Sequence, residues 1–220
     1  MDSGLDRIFF RETVRDSGVA DGKIIRQRGG RPVYAHVRIT ARALSRGKGV
    51  IFVWNAGSNI PARFAPAVAQ GMKDAMNTGV LAGLKVTDVL ASVDSGSYHE
   101  EDSNSEVFRE AAEKAMAEAL SQAHPVILEA IASVIVAVPP EFGLIVEKTM
   151  VRHGARTEPS SRNDDASVSV VASVAASQVD MLMAGLLDAT DGRATITSTI
   201  SGFQVRPEPP ETAAQWAAVT

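Results

Sequence analysis

At 220 residues, 45% hydrophobic and 22% charged, the chain has the composition of an ordinary globular protein of one or two domains. It contains no cysteine, which excludes disulfides and thiolate metal sites, and no apolar run long enough to span a membrane; the start, "MDSGLDRIFF", lacks the apolar stretch of a secretory signal. The formal net charge of −4 conceals a gradient: residues 1–48 hold 11 of the 22 Lys and Arg but only 5 of the 26 Asp and Glu, so that stretch carries +6 and the remainder −10. A basic end on an acidic body is the charge pattern of a polyanion-facing segment.

In chain order, "KIIRQRGGRPVYAHVRITARAL" reads as a hairpin. Val33, Ala35, Val37 and Ile39 alternate with Tyr34, His36, Arg38 and Thr40, and Gly29-Gly30 suits a two-residue turn that needs positive φ. Arg26, Arg28 and Arg31 flank that turn and predict a basic tip. A second turn at residues 45–49 leads into the strand "VIFVWNA". After Pro61 the period changes, with Phe64, Val68, Met72 and Met76 four apart on one helical face, Pro66 in the first turn and Gly79 as the C-terminal stop. Residues 85–93, "KVTDVLASV", alternate as a strand. In the loop "DSGSYHEEDSNSE", Gly96 turns the chain and Ser103-x-x-Glu106 has the spacing of a capping box for a helix carrying Val107, Phe108, Ala111, Ala112, Ala115, Met116, Ala119 and Leu120.

A domain boundary is expected within residues 124–130. Beyond it come a strand "SVIVAVPP", a helix "EFGLIVEKTMVRHG", a polar connection at 156–165, a strand "SVSVVASVA", a helix with Ser177 as cap, and a last strand "ATITSTISGFQV". This is the strand and helix order of a ferredoxin-like sandwich. The Pro- and Ala-rich tail, 207–220, predicts disorder.

Motifs for chemistry are sparse. The four histidines, at 36, 99, 124 and 153, form no i, i+4 pair, and "SYHEEDSNSE" lacks the alternating oxygen ligands of a calcium loop. Acids ahead of a helix have a structural reason, since they complement its positive end. There is no G-x-S-x-G elbow, and "SRGKGV" lacks the spacing of a phosphate loop. An enzyme using His99 as general base is therefore the weakest of the functional readings.

The stretch from "GSNIPARFAPAVAQGMKDAMNTGVLAGLKVTDVLASV" through "DSGSYHEEDSNSEVFREAAEKAM" resembles the fourth domain of translation elongation factor G. That family's pattern runs I-P-x-x-F/Y-x-P-A-V, then G-x-x-E/D-A-x-x-x-G-x-L-A-G, then D-G-S-Y-H-x-x-D-S. Upstream, "FFRETV" and "RQRGGRPVYAHV" are similar to its opening strand and its glycine-rich tip hairpin. Downstream, "PVILEAIASVIVAVPPEFGLIVEKTMVRHG" resembles the start of the fifth domain, and the likeness covers about residues 7–205.

The resemblance implies an α+β chain of two domains. Residues 1–127 would form a βαβ-type domain with a left-handed crossover (ribosomal-protein-S5-domain-2-like), against the usual right-handed rule. Residues 128–206 would form a ferredoxin-like βαββαβ sandwich, with 207–220 as the tail. It implies a ribosome-contacting module whose tip, made by Gln27, Arg28, Gly29, Gly30 and Arg31 with Gly96, Ser97, Tyr98 and His99, engages transfer RNA and small-subunit decoding-centre RNA during translocation. The fifth domain would contact large-subunit RNA. No catalysis and no cofactor are implied for this stretch, because GTP and Mg belong to the GTPase domain of the full-length family members. A cytoplasmic monomer with no membrane partner is expected. A paralogous ribosome-binding factor of the protection or stress type is the alternative. Two departures from the family matter: Pro32-Val33 replace its Gly-Gln after the tip glycines, and Glu100-Glu101 make the second tip loop more acidic.

Overall fold

The computed structural model describes residues 6–28, 31–163 and 167–206. They divide into two compact units, the first built on residues up to Leu128 and rejoined at Val205, the second on Glu129–Gln204.

The first unit opens with β1 (Phe10–Val14) and the hairpin β2 (Ser17–Arg28) and β3 (Arg31–Ala43). It continues with β4 (Val50–Trp54), α1 (Ala65–Thr78), β5 (Val89–Ser97) and α2 (Ser105–Gln122). Its four-stranded sheet has the order β2-β3-β5-β4. β4 and β5 run parallel and are joined through α1, which makes the expected βαβ unit. The hairpin register runs from Ser17 opposite Arg42 to Arg28 opposite Arg31. The turn expected at Gly29-Gly30 lies outside the described residues. Ala35, Val37, Ile39 and Ala41 are fully buried on the inner face of β3, and Phe64, Val68, Met72 and Met76 are the buried face of α1.

The scarcity of aromatic residues has a packing reason. β2 turns Gly18 and Gly22 towards α2, and a Cβ on Gly22 would stand 1.9 Å from the Ala111 carbonyl oxygen. One on Gly18 would stand 2.1 Å from that of Ala119, and one on Gly71 of α1 would stand 2.1 Å from that of Arg109. Helix and strand backbones therefore nearly touch, which only Gly facing the Ala111, Ala112, Ala115 and Ala119 stripe permits. The larger payload comes from Phe64 and Phe108, whose rings stack with centroids 4.5 Å apart.

Glu12, in the middle of β1, is 1% exposed. Its carboxylate accepts four backbone N–H groups, from Val80 (2.7 Å) and Leu81 (3.1 Å) on Oε2 and from Ala82 (2.8 Å) and Leu84 (3.0 Å) on Oε1. The loop "GVLAGL" is wrapped around one side chain. Gly79 enters it at φ 66°, ending α1, and a Cβ there would lie 2.6 Å from the Glu12 carboxyl carbon.

Three local expectations are corrected. The strand expected at 85–93 starts at Val89 and runs to Ser97. Asp88 has φ 57°, which breaks the run, and its Oδ1 accepts from Gly49 N at 2.9 Å, while Val86 bridges in parallel to Glu12. Gly96 does not turn the chain, for it sits within β5 opposite Val37. A Cβ there would come within 2.3 Å of the His36 carbonyl oxygen and 2.5 Å of Ile60 Cδ1, so crowding explains the glycine. Ser103 does not cap α2. The N-cap is Asn104, whose Oδ1 accepts from Val107 N at 3.1 Å, because Ser103 is engaged elsewhere.

The second unit contains β6 (Pro125–Val138) from Glu129 on, α3 (Gly143–Arg152), the two-residue strands β7 (Arg156–Thr157) and β8 (Ser161–Arg162), β9 (Val168–Ala175), α4 (Val179–Ala189) and β10 (Thr195–Val205) up to Gln204. The sheet order is β10-β6-β9 with β7 and β8 both on the far side of β9. This is the ferredoxin-like order, fourth, first, third and second strand. The stretch 156–165, expected as a polar connection, supplies the broken second strand. Pro159 interrupts it, and both pieces are exposed at a sheet edge, so no apolar alternation marks them. Ser177 is not a cap either: its hydroxyl donates to Glu129 Oε1 at 2.7 Å, and α4 follows a short 3-10 turn at Ala176–Gln178. The tail 207–220 lies outside the described residues.

Candidate functional site

The end of the β2–β3 hairpin and the loop that follows β5 are tied to each other by hydrogen bonds. Tyr34 N donates to the Asp102 carbonyl oxygen at 2.9 Å, and the Ser103 hydroxyl donates to the Tyr34 carbonyl oxygen at 2.7 Å. The same Ser103 oxygen accepts from His99 N at 2.8 Å, and Ser103 N donates to the His99 carbonyl oxygen at 3.0 Å. Ser103 thus closes the loop on itself and fastens it to β3. Lower down, Tyr34 Oη and Ser97 Oγ are 2.7 Å apart, and Ser97 Oγ lies 3.3 Å from His36 Nδ1. His36 Nε2 reaches Asp21 Oδ1 at 2.9 Å, and Arg38 donates to Asp21 Oδ2 at 3.0 Å. Ser97, His36 and Asp21 have the residue types of a nucleophilic triad, but here they cross-link β2, β3 and β5 beneath the tip.

This scaffold holds Tyr98 and His99 outwards. Tyr98 is 39% exposed and the His99 side chain 62% exposed, which rules out a buried Tyr-His pair plugging the loop from inside. His99 Nδ1 lies 3.0 Å from Asp102 Oδ2, so the carboxylate orients the ring and leaves Nε2 facing away from that contact. Arg63, just ahead of α1, brings its guanidinium 4.7 Å from the Phe64 ring centroid and 6.0 Å from that of Tyr98. An open depression of about 450 Å³ runs beside the loop, lined by Pro32, Val33, Glu101, Asp102, Ser103 and Asn104. An exposed ring, an orientated imidazole and a neighbouring cation can stack on and hydrogen-bond to a nucleotide.

The charges differ from the pattern expected of the tip. Arg26 is bound by Glu110 of α2 through two bonds of 2.6 and 2.5 Å. That hydrogen-bonded carboxylate raises the guanidinium further above its ordinary value. Arg26 is therefore neutralised at the hairpin's flank rather than presented at its end. Gly29 and Gly30, and the side chains of Arg28 and Arg31, lie outside the described residues. Gln27 is exposed opposite Pro32.

The family model for elongation factor G, domain IV, matches residues 6–124. The chain belongs to the elongation factor G domain IV family. A crystal structure of a protein from Thermus thermophilus is 31% identical, with a TM-score of 0.84 over 90% of this chain. The chain spans 30% of the length of that protein. The α+β architecture agrees with that structural likeness.

Within domain IV, the structure brings Ser97, Tyr98 and His99 into one end with Tyr34, Asp102 and Ser103 and the outgoing edge of β2 and β3. Gly96 stands behind them as a packing residue. Arg63, Tyr34 and Asp102 as the orienting carboxylate were not picked out from the sequence. Tyr34 and Ser103 are 69 positions apart, and no local spacing signals their bond. Among the described residues no cluster of three or more His, Asp or Glu is placed to hold a metal ion.

Proposed function

We propose that this chain is the ribosome-contacting part of an elongation-factor-G-like translation factor, acting through the end of its first unit without making or breaking a bond. Transfer RNA and small-subunit RNA would be met by Tyr98 and His99 beside the Arg28–Arg31 turn. The observation that carries the reading is the outward Tyr98-His99 pair, fastened to β3 through Ser103, in a domain of this family. Such a contact needs a stiff support, and the Ser103, Ser97 and His36 bonds supply it. The second unit, with its ferredoxin-like sheet, would meet large-subunit RNA. GTP and Mg would belong to a GTPase domain of the full-length family members, and the setting is cytoplasmic.

Co-sedimentation with ribosomes across a salt series tests this. Arg28→Glu with Arg31→Glu should weaken binding and flatten its salt dependence, since each phosphate contact contributes to the slope. His99→Ala should weaken binding with little change in slope. Binding that none of these substitutions alters would overturn the assignment. A second reading, a paralogue that binds the ribosome without ordinary translocation, draws on Glu100 and Glu101, both exposed beside the tip. Reversal of these two charges to lysine should then leave its action on the ribosome poorer rather than better.

A further inference from the structure

A second cleft, of about 370 Å³, opens on the first unit between β4, the later turns of α1 and residues 85–87. Its apolar floor is Met76 and Val86, 3% and 2% exposed. Phe52 forms one wall on β4, which is an edge strand, so 36% of this residue is open to a ligand. Lys73 and Lys85 stand at the cleft, and neither has a carboxylate partner among the described residues. Lys73 Nζ is 5.9 Å from the Phe52 ring centroid. Asn77, one helical turn after Lys73, adds an exposed amide that can donate and accept.

We propose that this cleft binds a nucleotide, its base lying on Phe52 and its phosphate held between Lys73 and Lys85. The volume falls in the range of small-molecule sites, roughly 300–1,000 Å³. A planar ring can lie on the exposed part of Phe52, a phosphate satisfies two ammonium groups that have no carboxylate partner among the described residues, and the amide suits a base edge or a ribose hydroxyl. A chain of net charge −4 does not collect anions through its overall field, so two lysines without carboxylate partners among the described residues make a local attraction. The site is separate from the tip. Ile60, ahead of α1, packs under Gly96 at the tip, whereas Lys73 and Asn77 lie in the last turns of that helix. The same chemistry is offered by a free mononucleotide or by an unstacked nucleotide within RNA.

The test is an amide NMR titration of the 220-residue chain with AMP, UMP, inorganic phosphate and a short single-stranded oligouridylate. Shifts should gather at residues 50–52, 73–77 and 85–87, and binding should weaken with salt. Phe52→Ala and Lys85→Ala should each lower affinity by about tenfold, the size of one lost stacking or charge contact. Both positions are exposed, so the variants are expected to fold. Saturation by mononucleotide assigns a free nucleotide as ligand, and markedly tighter oligouridylate binding assigns RNA. The proposal is overturned by an absence of shifts at these residues, by unaltered affinity in the two variants, or by inorganic phosphate binding as tightly as AMP. The Arg28→Glu, Arg31→Glu chain should titrate like the wild type, which separates this outcome from that of the tip.

Discussion

Glu12→Gln is the sharpest test of how the first unit is held together. The wild-type carboxylate accepts four N–H groups and offers no hydrogen of its own. An amide in its place keeps one acceptor oxygen, while its NH₂ group confronts two backbone donors, so two bonds are lost and donors face donors. Each buried N–H left without a partner costs about 1–3 kcal/mol. Glutamine should therefore destabilise by about 2–6 kcal/mol, and alanine, which orphans all four groups, by at least about 4 kcal/mol even if the loop is partly hydrated. Against the roughly 5–15 kcal/mol of a typical domain, that is a large fraction of the total, so the alanine variant should unfold at a much lower urea concentration. Urea unfolding followed by Trp54 fluorescence reads this directly, since Trp54 packs against the core of this unit. A Trp216→Phe background removes the other tryptophan. A glutamine variant within about 1 kcal/mol of wild type would refute the reasoning, because that is the ordinary cost of an unremarkable substitution.

Gly22→Val should abolish cooperative unfolding of the first unit by urea, whereas the same change at exposed Gly47, where a Cβ meets nothing within 4 Å but φ is +80°, should cost only backbone strain. Asn104→Ala should cost about 1 kcal/mol as a lost helix cap, read from the urea midpoint. Ser103→Ala should instead leave α2 intact and broaden the amide signals of residues 99–103. Asp74 is held below its ordinary 3.8 chiefly by the hydrogen bond from Arg109. Its contribution is then present above the unfolded value and lost as pH falls through the lowered folded one. Arg109→Ala should accordingly narrow the stability difference between neutral and acid pH in urea midpoints taken from pH 6 down to 2.

Much of the architecture is legible in the amino-acid sequence. Period and punctuation identified the β2–β3 hairpin, α1 with Pro66 and Gly79 at its ends, and α2 with its alanine face, because these depend on residues three, four or two apart. The motif words around "LAG" and "GSYHEEDS" carried the family. The departures from the local pattern share one physical cause: the deciding partner is distant in sequence. Ser103 has the spacing of a cap, yet its hydroxyl is taken by Tyr34, and Asn104 caps in its stead. Gly96 looks like a turn, yet Ile60 and the His36 carbonyl leave it no room for a side chain. The polar run at 156–162 has no apolar period because it is an exposed edge, and only its pairing with β9 makes it a strand. Arg26 counts as a tip charge until α2 brings Glu110 to it. Glu12 is one acid in "FFRETV", and nothing nearby announces that a loop 68 residues on will close around it. Local order was determined by the sequence alone, through propensity and period; which polar groups are spent on structure, and which stay exposed for a partner, was decided by tertiary contacts.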